Sequence, residues 1–189
     1  FKFFLVFFLI FQTESFATNP SDFVQSAVNR ASEILKQNIS KEEKMEKIEL
    51  IAEEVVDIKG IAYYSLGSHR KTLSSEKKDE YFKVFKKYFL KSFSSRLAQY
   101  SDPKIQVSSE KKLNEKYTIV SSILLATEKT PQVKLDWRIV TKDIHKPLII
   151  DVVIEGVSLA RVQREEFNSI IQNSNIDGLI NNLNEFANK

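Results

Sequence analysis

The chain of 189 residues contains no cysteine and only four glycines, four prolines and two histidines. The missing cysteine excludes a disulfide framework, a thiol nucleophile and a Cys-ligated zinc site. The glycines are too scattered to form a phosphate-binding loop, which argues against the usual kinds of nucleotide site. A net charge of +3 is too small to indicate nucleic-acid binding by itself. The hydrophobic fraction of 42% supports one packed core, and the length fits a single domain.

The N-terminal segment has the pattern of a secretory signal. An apolar run, residues 1–11 with Lys2 near its start, is followed by Ser15-Phe16-Ala17, whose small residues two apart are typical of a cleavage site. The run is about half of the roughly 20 apolar residues that a membrane-spanning helix needs. The sequence therefore predicts a cleaved signal peptide over residues 1–17 and one exported domain over residues 18–189. An exported chain without cysteine suits the bacterial periplasm.

Apolar residues recur at helical spacing in both the first and the last part of the exported domain. Helix starts are predicted at Asn19-Pro20 and at Ser40, where Glu43 completes a capping box. A long helix is predicted from about Ser74 to Tyr100, with a buried stripe that is unusually rich in aromatic residues. Two further helices are predicted at the C-terminus.

Between these helices the apolar period changes from 3.6 to 2, which indicates strands. Four strands are predicted, the clearest being Val133–Ile139 and Leu148–Ile154, and their short connections favour an antiparallel meander. The expected fold is α+β: a four-stranded antiparallel sheet wrapped on its apolar face by the N-terminal, central and C-terminal helices. Periodicity leaves open whether the enclosed space is filled or hollow.

Candidate catalytic residues are few. His69 and His145 are expected to be structural or exposed, and two histidines without cysteine give little basis for a metal site. Asp136, Asp151 and Glu155 are predicted on the polar side of their strands, where burial cannot raise a carboxyl pKa for general-base catalysis. We therefore expect no catalytic residues, no metal and no cofactor, and the protein is expected not to be an enzyme.

Two other patterns each allow two interpretations. The aromatic stripe of the long helix is either core packing or one wall of an apolar pocket. The lysines on the same helix, at positions 83, 86, 87 and 91, form either a solvated face or a docking surface for acidic partners and lipid head groups.

The segment Asp151-Val152-Val153-Ile154-Glu155-Gly156-Val157-Ser158-Leu159, followed by Gln163-Arg164-Glu165-Glu166-Phe167, resembles the signature of the MlaC family, also called the toluene-tolerance auxiliary family. The strand Val133–Ile139, with its Trp137-Arg138 pair, and the Leu66-Gly67 segment that leads into the long helix are also similar to that family. His69 and Lys77 are local departures from the family pattern. The resemblance covers nearly all of residues 20–188.

The resemblance implies a periplasmic phospholipid carrier in bacteria with two membranes, one that helps to maintain the lipid asymmetry of the outer membrane. Its implied partners are phospholipid, an inner-membrane ABC transporter with MCE domains and an outer-membrane lipoprotein–porin complex. The lipid tails would lie in a cavity between helices and sheet. Periodicity together with this architecture predicts the following tail contacts: Phe82, Phe85, Phe89, Phe93, Ile123, Leu125, Trp137, Ile139, Ile150, Val152 and Ile154. A small-ligand enzyme on a cone-like α+β fold and a solid-core binding module remain the alternatives.

Overall fold

The computed structural model describes residues 19–128, 131–143 and 145–189. The predicted signal peptide therefore lies outside the described residues. The helices are α1 (Pro20–Lys36), α2 (Lys41–Val55), α3 (Ile58–Ser65), α4 (Ser75–Leu97) and α5 (Leu159–Asn188). The strands are β1 (Ile105–Asn114), β2 (Tyr117–Leu124), β3 (Val133–Val140), β4 (Leu148–Ile154) and β5 (Val157–Ser158).

Each helix begins where a polar side chain accepts a hydrogen bond from a backbone N–H of its first turn. Asn19 accepts from the N–H of Ser21 beside Pro20, and Ser40 accepts from the N–H of Glu43, as the sequence predicts. Asn19, Ser40, Asp57, Ser74 and Ser158 cap α1 to α5 in turn. The helix starts are therefore determined by polar capping residues in the sequence.

Helix α5 contains the break that separates the two predicted C-terminal helices. Ser174 and Asn175 leave helical geometry, and Asn175 has a positive φ of 57°. The side-chain oxygen of Asn175 accepts from the N–H groups of Asp177 and Gly178, which caps the second half of the helix. The prediction of two helical segments here is therefore confirmed.

The sheet is an antiparallel meander in the order β1-β2-β3-β4-β5. The prediction of four strands is wrong by one, because the short β5 pairs with the end of β4. Glu155 and Gly156 join these two strands with positive φ angles of 47° and 83°, the conformation of a two-residue hairpin turn. A two-residue strand has too few positions to show an alternating pattern.

The helices pack on one face of the sheet. Helix α1 packs on β1 and β2, whereas α3 and α5 pack on β4. One buried cluster joins Val24 and Val28 of α1 to Val120 of β2 and Ile139 of β3. A larger cluster joins the helices to one another and to Ile149 of β4. Within the described residues, no helix is both long enough and apolar enough to cross a membrane.

Candidate functional site

Helix α4 carries two lines of aromatic side chains that differ in burial. At about 100° per residue, Tyr81 and Phe85 lie on one line, and Phe82, Phe89 and Phe93 lie on a second line beside it. Tyr81 and Phe85 are completely buried, whereas Phe82, Phe89 and Phe93 are half-buried. We call these the buried line and the half-buried line of α4.

The half-buried line lies between two packed sides of α4. On one side, Tyr81 meets Ser65 of α3 at 2.8 Å between oxygens, and the ring of Phe85 meets Phe167 of α5 edge-on at 6.1 Å. On the other side, the Ser94 hydroxyl donates to Glu49 of α2 at 2.9 Å. The half-buried line therefore lies between firmly packed neighbours without being fully covered itself.

Within the half-buried line, Phe89 and Phe93 form a stacked pair. Their ring centroids are 5.8 Å apart and their planes differ by 6°. Phe82 lies nearer the start of the helix in a different setting, 6.4 Å from the ring of Tyr63 and with the Lys59 ammonium 5.7 Å from its centroid. The three residues thus share a line but not an environment.

The predicted sheet contacts on β3 and β4 mostly lie on the helix-covered face. Trp137 pairs with Val120 and with Val152, and Leu135 pairs with Ile154, so these side chains share one face. Trp137, Val152 and Ile154 are half-buried, and Trp137 contacts both buried clusters. The Trp137 indole N–H donates to the Ser122 hydroxyl at 2.8 Å, which fixes its orientation.

The other predicted tail contacts on β3 and β4, Ile139 and Ile150, lie in different surroundings. Ile139 is fully buried in the cluster beneath α1. The pairing of β3 with β4 shifts between Arg138 and Ile139, so Ile150 has no partner in the register and Ile149 pairs with Ile139 instead. This bulge also places Leu148 opposite Val140, off the face of Val152, which a strict alternation could not predict.

The placement of Ile123 on the helix-covered face is wrong. Ile123 pairs with Lys134, and the neighbouring pair Ser122–Leu135 points to the face of Trp137, so Ile123 points to the opposite face. Because apolar residues occupy both faces of β2, its sequence did not distinguish between them. Leu125 lies just beyond β2, where its N–H donates to Lys104, and it lines a surface depression between α1 and β1.

In the part of the chain that the structure describes, two depressions open on the surface. The larger, of about 500 Å³, is lined by Phe82, Lys83 and three carboxylates of α4. The smaller, of about 260 Å³, is the one that Leu125 lines. The enclosed lipid cavity remains a prediction.

The half-buried apolar side chains around the larger cluster include the residues of a candidate lipid cleft. They come from four elements and all pack against that cluster: Ala31 and Ile34 of α1, Phe89 and Phe93 of α4, Trp137 of β3 and Val152 of β4. Ala31 and Ile34 are not among the tail contacts predicted from the sequence. Their partial burial is a tertiary property that periodicity does not report.

Asp151 is buried, contrary to its expected place on a polar strand face. One carboxylate oxygen accepts from the Ser158 hydroxyl at 2.6 Å and the other from the N–H of Ala160 at 3.0 Å. Arg138 lies 3.4 Å from the first of these oxygens. Asp151 thus ties β4 to β5 and to the start of α5, which gives the signature from Asp151 to Ser158 a structural basis.

Three other titratable side chains, those of His69, Tyr81 and Tyr88, have structural partners. His69 shares a hydrogen bond of 3.0 Å with Asn168 of α5. Burial raises the pKa of the Tyr81 hydroxyl well above its usual range, and it also raises the pKa of Tyr88, whose hydroxyl donates to Gln163. Among the described residues, no group of His, Asp and Glu side chains is placed to hold a metal ion.

The lysines of α4 are partly engaged by neighbouring elements. Lys86 forms an ion pair of 2.8 Å with Glu53 of α2, and the Lys91 ammonium donates to the carbonyl of Ala187. Lys83 and Lys87 are exposed. These contacts favour a surface that supports helix packing over a uniform docking ridge.

Comparison with known proteins agrees with this architecture. The model of the family described as "MlaC protein" matches residues 25–185. The intermembrane phospholipid transport system binding protein MlaC of Haemophilus influenzae is 26% identical over 193 residues, covering 98% of this chain and 90% of that protein. A phospholipid-binding protein from Ralstonia solanacearum, solved in complex with a phospholipid, has the same fold. It superposes with a TM-score of 0.76 at 16% identity, over 90% of this chain and 97% of that one.

Proposed function

The chain belongs to the MlaC protein family, and from this premise we propose that it is a periplasmic phospholipid carrier that holds acyl chains in an apolar cleft. Its Haemophilus relative is a binding protein of an intermembrane phospholipid transport system, which supports this proposal. The phospholipid held by the Ralstonia protein of the same fold supports it further. Export by the predicted signal peptide would place the carrier between the two membranes.

The observation that carries the proposal is the incomplete burial of apolar side chains on two surfaces that adjoin one cluster. Phe89 and Phe93 of α4 and Trp137 and Val152 of the sheet pack against the same buried cluster, yet each keeps part of its surface exposed. Complete burial of these large side chains would add stability, because each fully buried apolar side chain contributes about 1.5–3 kcal/mol. Side chains that form the walls of an apolar cleft would keep part of their surface exposed in this way.

We propose that the tails enter by separating these two surfaces. The packed sides of α4, held by Phe85 against α5 and by Ser94 against α2, remain as walls. The stacked Phe89–Phe93 pair lies between them, so its rings are the ones that move when tails take their place.

A dry cleft is needed because lipid tails do not cross water unaided. Two tails hold about 30 methylene groups, and exposing them would cost on the order of 20 kcal/mol at about 0.8 kcal/mol each. Transfer from a bilayer to the dry cleft, however, leaves the tails out of water at both ends, so the net free energy of this transfer is close to zero. The direction of transport must therefore come from the partners, which we propose are an ATP-driven MCE-domain transporter in the inner membrane and a lipoprotein–porin complex in the outer membrane.

The carrier proposal requires neither a catalytic group nor a cofactor. The lipid is cargo, and its head group would meet a polar rim at the opening of the cleft. We therefore expect weak selectivity among head groups in a lipid-exchange assay.

Solvent extraction of the purified protein followed by mass spectrometry tests the proposal. We expect about one phospholipid per chain. In a second measurement, lipid-free protein is titrated with phospholipid while the fluorescence of Trp137, the single tryptophan, is followed. Its emission should move to shorter wavelengths as tails replace water around the indole. An extract free of phospholipid, together with unchanged emission, would contradict the proposal and favour a solid binding module.

A further inference from the structure

The turn between β1 and β2 and the connection between β3 and β4 lie at the same end of the sheet. Tyr117, the first residue of β2, pairs with Val140, the last residue of β3. The N–H of Thr141 donates to the carbonyl of Lys116 at 2.7 Å. We call this region, residues 111–117 together with 142, 143, 145 and 146, the hairpin end.

The hairpin end carries the net positive charge of the chain. Its five lysines are all exposed and face only two carboxylates: Lys111, Lys112, Lys116, Lys142 and Lys146 against Glu115 and Asp143. This gives +3, and the rest of the sequence holds 23 basic and 23 acidic residues. Lys112 is paired with Glu115 at 3.0 Å. Positive charge is therefore concentrated at one end of an otherwise balanced molecule.

Two apolar side chains are exposed among these lysines. Leu113 is 50% exposed and Tyr117 is 39% exposed. Every residue of β1 from position 108 to 114 is exposed as well, so the turn projects away from the core. The side-chain oxygen of Asn114 accepts from the N–H groups of Lys116 and Tyr117, which holds the turn in one shape.

We propose that the hairpin end docks on the surface of a membrane that contains anionic phospholipid. Lysines near such a surface are attracted to its negative potential, and a leucine and a tyrosine are suited to the boundary between head groups and acyl chains. The docking surface is distinct from the cleft, because it lies at one end of the sheet and not between sheet and helices.

Sedimentation with vesicles tests this docking surface. The vesicles are made of phosphatidylcholine alone or of an equal mixture of phosphatidylcholine and phosphatidylglycerol. Wild-type protein should sediment with the mixed vesicles in low salt, and less so in high salt. The triple variant Lys111→Gln, Lys116→Gln, Lys142→Gln should lower the partition coefficient by about tenfold or more, because each lysine near an anionic surface contributes about fivefold. The double variant Leu113→Ser, Tyr117→Ser should lower it while leaving its salt dependence in place.

The matched control is the triple variant Lys41→Gln, Lys83→Gln, Lys87→Gln, which removes the same charge from exposed helix positions. It should bind the mixed vesicles nearly as well as the wild type. Equal losses in the two triple variants, or equal binding to both kinds of vesicle, would overturn the proposal. So would a hairpin-end variant that binds vesicles normally but no longer binds a protein of the outer or inner membrane. Bound phospholipid, measured by extraction of the same preparations, reports on the cleft separately, so failure of docking and failure of lipid carriage can be told apart.

Discussion

The two aromatic lines of α4 have similar composition but opposite surroundings. Tyr81 and Phe85 are completely buried and packed against α3 and α5, whereas Phe89 and Phe93 stack on each other and stay partly exposed. About 40° of rotation around the same helix separates Phe85 from Phe89. We expect the buried line to contribute most to the stability of the helix layer, and the half-buried line to contact the lipid tails as proposed above.

The largest expected effect is on stability, from Phe85→Ala. Removing a fully buried ring that contacts Phe167, Phe89 and Tyr88 should lower the free energy of unfolding by about 3–5 kcal/mol. The change is measured by chemical denaturation, provided that the variant and the wild type have equal m-values. A loss below about 1 kcal/mol would mean that the buried line is not the stabilising one.

Phe89→Asp should affect lipid more than folding. A carboxylate in the cleft would meet acyl chains without a partner, so bound phospholipid should fall on the order of tenfold. The Phe89 side chain is only half-buried, so the variant should still unfold cooperatively. Leu50→Asp is the matched control, because Leu50 is 68% exposed on α2 and should keep its lipid. Full lipid content in the Phe89 variant would show that the half-buried line does not contact the tails.

The variant Tyr81→Phe tests the buried line through the pH dependence of the free energy of unfolding. Burial raises the pKa of the Tyr81 hydroxyl above its unfolded value of about 10, so the unfolded chain loses this proton first as pH rises. The contribution of the Tyr81 hydroxyl to the free energy of unfolding is therefore fully present below about pH 10. Above that pH it is lost, at up to about 1.4 kcal/mol per pH unit. Near neutral pH the variant should lose about 1 kcal/mol with the hydrogen bond to Ser65. Denaturation curves from neutral to strongly alkaline pH should fall less steeply for the variant, and identical alkaline slopes would contradict this assignment.

The smallest effect is expected from Phe82→Ala. Phe82 belongs to the half-buried line but faces Lys59, Tyr63 and the carboxylates of α4, a polar setting for a lipid tail. Extraction should therefore show a smaller loss of lipid than Phe89→Ala causes. An equal loss of lipid in the two variants would show that the tails also contact the start of α4.

Much of the fold was predictable because its determinants are local. Asn19, Ser40 and Ser74 cap the helices that they were expected to begin, and the alternation from Val133 to Ile139 placed Trp137 on the correct face. The errors arose where a local pattern was ambiguous. Ile123 was assigned to the wrong face because β2 has apolar residues on both faces. The bulge in β4 leaves Ile150 without a strand partner, and β5 was too short to show a pattern.

The sequence by itself determined most of the elements, the aromatic composition of α4 and the family signature from Asp151 to Ser158, because caps, periodicity and turn residues act within a few positions of the chain. The tertiary structure alone decided which aromatic residues are core and which remain partly exposed, and that Asp151 is buried as an anchor for β5 and α5. Burial depends on which elements pack together across the chain, and residues such as Phe85 and Phe89 differ in that respect while being chemically identical.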